Sequence, residues 1–166
     1  MGQMKTKSRT LTFNGPLEAG VRAVAILFAA FPKSFDVQRL TALDYLIVRT
    51  AELGGPSNIH PDAPIKTPAT EVRRALVQEA LLLMMTRDLV SREMSSDGIQ
   101  YLAGETAATF MLSIETPYML ALKERAEWVV EYLAPYSEQD FAALMRGFFD
   151  DWVMEFHEQS GSGSTQ

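Results

Sequence analysis

The chain has 166 residues, of which 47% are hydrophobic and 22% charged, with a formal net charge of -6. These values predict one globular domain with a buried core. The absence of cysteine excludes a disulfide framework, a cysteine-based zinc site and a cysteine nucleophile. No apolar run approaches the roughly 20 residues of a membrane-spanning helix. The first ten residues are not followed by the apolar segment of a secretory signal, so a cytoplasmic protein is expected.

The charges are unevenly distributed along the chain. Residues 105–166 contain eleven acidic and three basic residues, whereas residues 1–10 contain three basic residues and no acidic one. An acidic surface repels phosphate groups, so strong non-specific binding to nucleic acid is not expected of the body of the protein. Residues 1–12 lack hydrophobic periodicity and are predicted to be a flexible basic leader.

Two helices are predicted before the first long loop. The first begins at Asn14-Gly15-Pro16; the second has Asp36 as its N-cap and ends at Gly54-Gly55-Pro56. The residues at helical spacing that should face the core are Leu17, Val21, Val24, Phe28 and Phe31 in the first helix, and Leu40, Leu43, Ile47 and Ala51 in the second. The first helix is apolar on other faces too, so it should be largely buried or lie at a partner surface. Asp44 and Arg49 lie outside the second stripe and are expected to be solvated or available to a partner.

Residues 67–101 predict a helix that runs into a β-hairpin. Thr67-Pro68 is a favourable helix start, and the helix should extend to about residue 88. The residues predicted for its buried face are Val72, Leu76, Ala80 and Leu83. Asp97-Gly98 is a tight-turn dipeptide between two strand-like runs, residues 89–94 and 99–103. A helix followed by a hairpin is typical of the last part of a winged-helix domain. The fold class expected is therefore mainly α with a small β-hairpin, a winged-helix-like core followed by C-terminal helices.

Three more helices are predicted after the hairpin. Residues 105–112 should pack either Ala108 and Leu112, or Phe110 and Met111, onto the core. The next helix opens at Thr116-Pro117, and the last opens at Ser137 with a capping box and runs to about residue 157. Their predicted buried stripes are Tyr118, Leu122, Ala126, Val129 and Leu133, then Phe141, Leu144, Phe148, Trp152 and Phe156. Residues 13–158 are thus predicted to form one domain, and residues 159–166 a flexible tail.

Several apolar residues lie off these two stripes. They are Trp128, Val130, Tyr132, Phe149 and Val153. One small domain is not expected to cover all of them, so this surplus of apolar surface favours a protein partner.

The sequence contains no clear catalytic, cofactor or metal site. Asp150 and Asp151 are adjacent on a helix and would not face one substrate bond. The Gly54-Gly55 pair is followed by proline rather than by a phosphate-binding helix. His60 lies in the loop of residues 54–66, and the only other histidine is His157, so His60 has no obvious partner for metal binding. The expectation is a protein that is not an enzyme, with no cofactor, small-molecule substrate or membrane contact.

DNA binding by a winged helix is the alternative function. Its candidate contacts are Arg73, Arg74, Arg87 and Arg92, at and after the helix that precedes the hairpin. Acidic residues are interleaved with them, so the same pattern also fits a surface of ion pairs.

Taken in order, a set of short runs resembles a known family. The runs are FNGPLEAG at 13–20, FDVQRL at 35–40, LDYL at 43–46, GGP at 54–56 with HP at 60–61, VRR at 72–74, LLM at 82–84, GIQY at 98–101 and RAEW at 125–128. They resemble the middle component of bacterial ABC-three-component systems, over about residues 13–132. Gly15 replaces the small polar residue more usual in that family, which should affect only the first helix cap.

The resemblance implies a non-enzymatic subunit that bridges or regulates two partners. One is an SMC/Rad50-like ABC ATPase, and the other is an effector, often a nuclease. Such systems include the Lamassu-type defences against phage and plasmids, so contact with DNA would be indirect, through the complex. The residues expected to contact a partner belong to the resembling runs yet lie off the predicted stripes or in the long loop. They are Asp44, Tyr45, His60, Arg73 and Arg74.

Overall fold

The computed structural model describes residues 15–60 and 70–149. These residues form six α-helices and one antiparallel hairpin, so the prediction of a mainly α fold with a small β-hairpin is confirmed. The helices are α1 (Pro16–Ala30), α2 (Val37–Ile47), α3 (Thr70–Met85), α4 (Ala107–Ser113), α5 (Pro117–Leu133) and α6 (Glu138–Arg146), and the strands are β1 (Val90–Ser95) and β2 (Gly98–Ala103). None of these helices is long and apolar enough to cross a membrane. The predicted leader, the tail and the Thr67-Pro68 helix start lie outside the described residues.

Helix α1 is the centre of the fold, since α2, α3, α4, α5 and β2 all pack on it. Its middle is buried around most of its circumference, as its apolar content predicted. Gly20 permits close contact with α3, because a Cβ at this position would lie 2.5 Å from Cε of Met84. The predicted stripe is wrong at both ends, where Leu17 and Phe31 are exposed. Neither end is covered by a neighbouring helix as the middle of α1 is.

Helix α2 is capped as predicted but is shorter than expected. The Asp36 carboxylate accepts a hydrogen bond of 2.7 Å from the Arg39 amide. The helix ends at Ile47, and a separate 3₁₀ helix, Thr50–Leu53, follows. Gly54 ends that segment with a φ of 82°, a conformation that suits glycine. The break turns Ala51 to solvent, so its predicted place in the buried stripe is wrong.

Helix α3 and the hairpin form the second half of the core. The hairpin pairs Val90 with Ala103 and Ser95 with Gly98, close to the predicted strand limits. An isolated bridge between Phe35 and Tyr101 adds a third, one-residue contact beside β2. The predicted buried face of α3 is largely wrong. Its buried apolar residues are Val77, Ala80, Leu81 and Met84, whereas Val72 is exposed and Leu76 and Leu83 are half-buried.

Helices α4 and α5 form as predicted, and α6 begins at the predicted residue. In α4, Phe110 and Met111 pack on the core while Ala108 and Leu112 face solvent. Helix α5 buries four of its five predicted residues; the fifth, Tyr118, is half-buried, and its neighbour Met119 is buried instead. Ser137 and Asp140 form the predicted capping box of α6. The prediction that this helix runs to about residue 157 is wrong, because α6 ends at Arg146 and Gly147, a residue of low helix propensity, is its C-cap. Of its predicted stripe Phe141 is buried and Leu144 and Phe148 are half-buried, while Trp152, Phe156 and the off-stripe Val153 lie outside the described residues.

The apolar residues that lie off the two stripes leave less exposed surface than the sequence predicted. Phe149 is buried against Tyr45, with ring centroids 4.8 Å apart, so its assignment to free surface is wrong. Trp128 stacks on Tyr132, also at 4.8 Å, and covers Gly55. Val130 and both of these aromatic residues are half-buried. Most of these apolar residues therefore pack against the core or, as Trp128 does, against the loop that contains Gly55.

Candidate functional site

Asp44, on α2, joins three helices through its carboxylate. Its Oδ1 accepts a 2.7 Å hydrogen bond from Arg22 Nε on α1, and its Oδ2 accepts one of 3.2 Å from Arg73 Nη1 on α3. Asp44 is only 2% exposed, and Arg22 is also buried. The expectation that Asp44 is solvated is therefore wrong, because two guanidinium groups surround it inside the protein.

The two arginines respond differently to this burial. Desolvation lowers the pKa of Arg73 more than the attraction of Asp44 raises it, and repulsion from Arg49 and Arg22 lowers it further. Desolvation is also the largest effect on Arg22, but the Coulomb attraction and hydrogen bonds of Asp44 and Tyr118 together outweigh it, so the pKa of Arg22 is raised. Arg22 has the shorter contact with Asp44 and a second favourable neighbour in Tyr118, whereas Arg73 has two arginines nearby that repel it. Both guanidinium groups remain charged at neutral pH, so two ion pairs on the Asp44 carboxylate connect α1, α2 and α3.

Tyr45 lies next to Asp44, and its ring packs between the Arg22–Asp44–Arg73 ion pairs and the aromatic rings of Phe148 and Phe149. Its ring contacts Phe149 edge-on, and the guanidinium carbons of Arg49 and Arg73 lie 4.2 and 5.2 Å from its centroid. Arg49 also donates a 3.2 Å hydrogen bond from Nη1 to the Tyr45 carbonyl. Stacking cations on a tyrosine face is favourable. Arg49 is thus half-buried, in contrast to its expected solvation.

His60 borders the same cluster. Its ring stacks on Tyr118 with centroids 6.5 Å apart and an interplanar angle of 15°. Burial lowers the pKa of His60, repulsion from Arg22 and Arg49 lowers it further, and Asp44 only partly opposes these effects. The imidazole is therefore neutral at pH 7. Among the described residues, no three histidine or acidic side chains form a group that could hold a metal ion.

Acidification should destabilise the protein through His60. Its folded-state pKa lies below the unfolded value of about 6.5, so this contribution is complete above that pH and is lost as pH falls towards the folded-state pKa. The free energy of unfolding should be measured by urea denaturation from about pH 5 to pH 8. His60→Gln should have a shallower pH dependence than the wild type over this range. Equal slopes in the two proteins would contradict the assignment, and His157, present in both, serves as the internal control.

The exposed face of α3 has a different character from the cluster behind it. The exposed residues at three- and four-residue spacing are Glu71, Val72, Ala75, Gln78, Glu79 and Leu82. Val72 and Leu82 are 63% and 58% exposed. This α3 face has no basic residue, because Arg73 turns towards Asp44 and Arg74 is half-buried. The surface is acidic and apolar, which favours contact with protein over contact with a phosphate backbone.

Residues 12–155 match the family model described as ABC-three component (ABC-3C) system Middle Component 2, which covers most of the chain. The chain belongs to this family. Neither a curated protein nor a solved structure matches the chain. The recognised resemblance is thereby confirmed, and this middle component is one subunit of a multi-component ABC system.

The structure brings together most of the residues selected from the sequence of this middle component. Asp44, Tyr45 and Arg73 are in direct contact, and His60 lies close enough to feel the charges of the cluster. Arg74 is on the next position of α3 and is half-buried. Their direct contact with a partner stays a prediction.

Sequence reasoning missed two members of the cluster in the middle component. Arg22 and Tyr118 were not selected, although Arg22 is buried on Asp44 and Tyr118 stacks on His60. One signal was available for Arg22, because it interrupts the longest apolar run of the sequence, residues 21–31. A buried charge of that kind requires an opposite charge nearby.

Proposed function

We propose that this middle component is a non-enzymatic adaptor that bridges an SMC/Rad50-like ABC ATPase and an effector, a nuclease, in a Lamassu-type bacterial defence complex. It would act in the cytoplasm and meet DNA only through the complex. The family membership supports a subunit role. The observation that favours an adaptor over a DNA-binding regulator is the exposed α3 face, which combines two exposed aliphatic side chains with two glutamates and no basic residue.

The order of elements supports a winged-helix origin for this surface. The chain forms helix, short strand contact at Phe35, helix, helix and hairpin. In a winged-helix regulator the third helix of this series, here α3, would enter the major groove. In this chain Arg73 is held by Asp44 and Arg74 is half-buried, so neither basic residue of α3 belongs to its exposed face. We infer that the protein uses this helix to contact another protein.

The five sequence-selected residues have two roles in this proposal. Asp44 and Tyr45 are buried and would act indirectly, by fixing the position of α3 on α1 and α2. His60, Arg73 and Arg74 are partly exposed and would border the contact surface. Reversing the charge of Arg73 would place a carboxylate against Asp44, so it tests folding as well as binding. Arg74→Glu is therefore the cleaner test of the arginine contacts.

Substitutions on the α3 face should weaken assembly without unfolding the chain. Val72→Glu with Leu82→Glu replaces two exposed aliphatic side chains by charges that a protein interface would have to desolvate. We expect at least about a tenfold loss of affinity, equivalent to about 1.4 kcal/mol, in co-purification with the ATPase and effector encoded beside the gene. Mass determination of the complex then gives its composition.

A matched control is available on another helix. Leu112, on α4, is 66% exposed, so Leu112→Glu introduces the same change at similar exposure away from α3. It should leave co-purification unchanged. If the α3 double variant assembles as the wild type does, the α3 face is not the contact surface. A wild-type chain that remains solitary and retains duplex DNA at about 0.1 M salt would instead support the alternative, a stand-alone winged-helix regulator.

A further inference from the structure

A small cleft lies between α2 and the C-terminal end of α5, on elements separate from the α3 face. Leu43, Val130 and Leu133 form apolar parts of its lining, and Lys33 and Arg39 contribute two cations. Its volume of about 90 Å³ is well below the roughly 300–1,000 Å³ of pockets that hold drug-sized ligands. The cleft therefore fits one aliphatic side chain better than it fits a substrate or cofactor.

Arg39 is oriented by contacts within the protein. Its guanidinium carbon lies 3.7 Å from the centroid of the Phe141 ring, and Nη2 donates a 3.2 Å hydrogen bond to Glu138 Oε1. The Glu138 side chain is 90% exposed. Ion pairs with such an exposed partner contribute only about 0–1 kcal/mol. Another carboxylate can therefore replace Glu138 on Arg39 at little cost.

We propose that this cleft receives an acidic and aliphatic segment of a partner protein, with one branched aliphatic side chain in the cavity and a neighbouring carboxylate on Arg39 beside Lys33. The charges select this occupant: Lys33 and Arg39 line the cleft, no acidic residue is among its described lining residues, and the carboxylates of Glu138 and Asp36 act on Arg39 from outside that lining. The apolar lining by Leu43 and Leu133 offers nothing to a phosphate group. The proposal rests on the adaptor function and identifies a second contact surface for it, apart from α3.

The cleft can be tested on the full chain without any partner. The probe is 4-methylpentanoate, which combines one carboxylate with a branched aliphatic tail, and binding is followed by heteronuclear NMR. Saturable shifts are expected at Val130, Ala134 and the Arg39 side chain. The alcohol 3-methylbutanol and inorganic phosphate each lack one of the two features and should bind at least about tenfold more weakly. Equal binding of phosphate, or no saturable shift at these residues, would overturn the proposal.

Three variants test whether the probe binds in the cleft or whether the residues of the cleft only support the fold. Ala134→Phe, at an exposed position on the rim, should fill the cavity and abolish probe binding. Lys33→Glu should weaken binding several-fold, whereas Glu138→Gln should strengthen it by removing the competing carboxylate. A purely structural ion pair would not give tighter binding when Glu138 is neutralised. Unchanged binding in Ala134→Phe would contradict the proposed position of the probe.

The same variants distinguish this inference from the adaptor function in co-expression with the genomic neighbours. We expect Ala134→Phe and Lys33→Glu each to lose the complex, whereas the control Arg87→Glu should still form it. A wild-type complex that survives both cleft variants would overturn docking at the cleft and leave the adaptor function standing. Failure of the wild type itself to form a complex would overturn the adaptor function and, with it, the assignment of the cleft to a partner of that complex.

Discussion

Replacing Asp44 with asparagine should lower the free energy of unfolding by about 3–5 kcal/mol, the cost typical of removing one partner from a buried ion pair. Asparagine keeps the size of the side chain but removes the charge that Arg22 and Arg73 share. Both guanidinium groups would then lie in the protein without their common counter-ion. Urea denaturation at neutral pH, with the midpoint and slope both fitted, measures the change.

A matched control for this substitution is Asp97→Asn. Asp97 is exposed in the turn of the hairpin, and its replacement should change stability by less than about 0.5 kcal/mol. The test also has a functional arm, because Asp44 fixes the position of α3. At a temperature where Asp44→Asn remains folded, its co-purification with the partners should be weaker than that of the wild type. An Asp44→Asn protein as stable as the wild type would show that the ion pairs of Asp44 contribute little to the free energy of unfolding.

Leu122→Ala should destabilise the protein by about 2–5 kcal/mol, the range for truncating a buried leucine. Leu122 is 0% exposed on α5, which packs against α1. The loss combines the transfer of the removed methyl groups with the cost of the cavity that remains. Thermal and urea unfolding of the full chain, monitored by circular dichroism, give the size of the effect.

Leu120 provides an unusually close comparison, because it lies two residues earlier on the same helix. It is 51% exposed, so Leu120→Ala should cost less than about 0.5 kcal/mol. The two substitutions delete the same atoms and have the same effect on helix propensity, so their difference reports burial alone. Similar losses at both positions would mean that the inward face of α5 is assigned incorrectly.

Local signals predicted the beginnings of helices well. Asp36, Thr116 and Ser137 each cap a helix as expected, because an N-cap depends on a side chain and an amide only a few residues apart. The hairpin was also predictable, although its two-residue loop is Ser96-Asp97, one residue earlier than the predicted Asp97-Gly98 dipeptide. Gly98, with a φ of 104°, is the first residue of β2 and pairs with Ser95. These features need no information from distant parts of the chain.

The orientation of α3 was not predictable from the same kind of signal. Its sequence has aliphatic residues on several sides, including Val72, Leu76, Val77 and the run from Leu81 to Met84. Periodicity alone does not choose between faces when apolar residues are so abundant. Packing on α1 makes the choice, because α1 accepts Met84 over Gly20 and leaves Val72 in solvent.

The environment of Asp44 shows the same limit in the candidate site. A charged residue off an apolar stripe is normally solvated, and Asp44 has no basic residue three or four positions away on its helix that would suggest an ion pair. Its partners are 22 and 29 residues away, and only the packing of three helices brings them together. The family resemblance selected Asp44, Tyr45 and Arg73 as partner contacts, which stays a prediction. The structure shows that they are neighbours in one cluster, and the expected exposure of Asp44 is wrong.

The bridge between Phe35 and Tyr101 has a consequence for how copies of the protein meet. It covers the side of β2 that faces away from β1, so β1 is the open edge of the sheet within the described part of the chain. Arg92 and Glu93 are exposed along this edge. Charged side chains on an open strand discourage the addition of a further strand from another molecule. The subunit is therefore protected against edge-to-edge aggregation even when it is produced in excess of its partners.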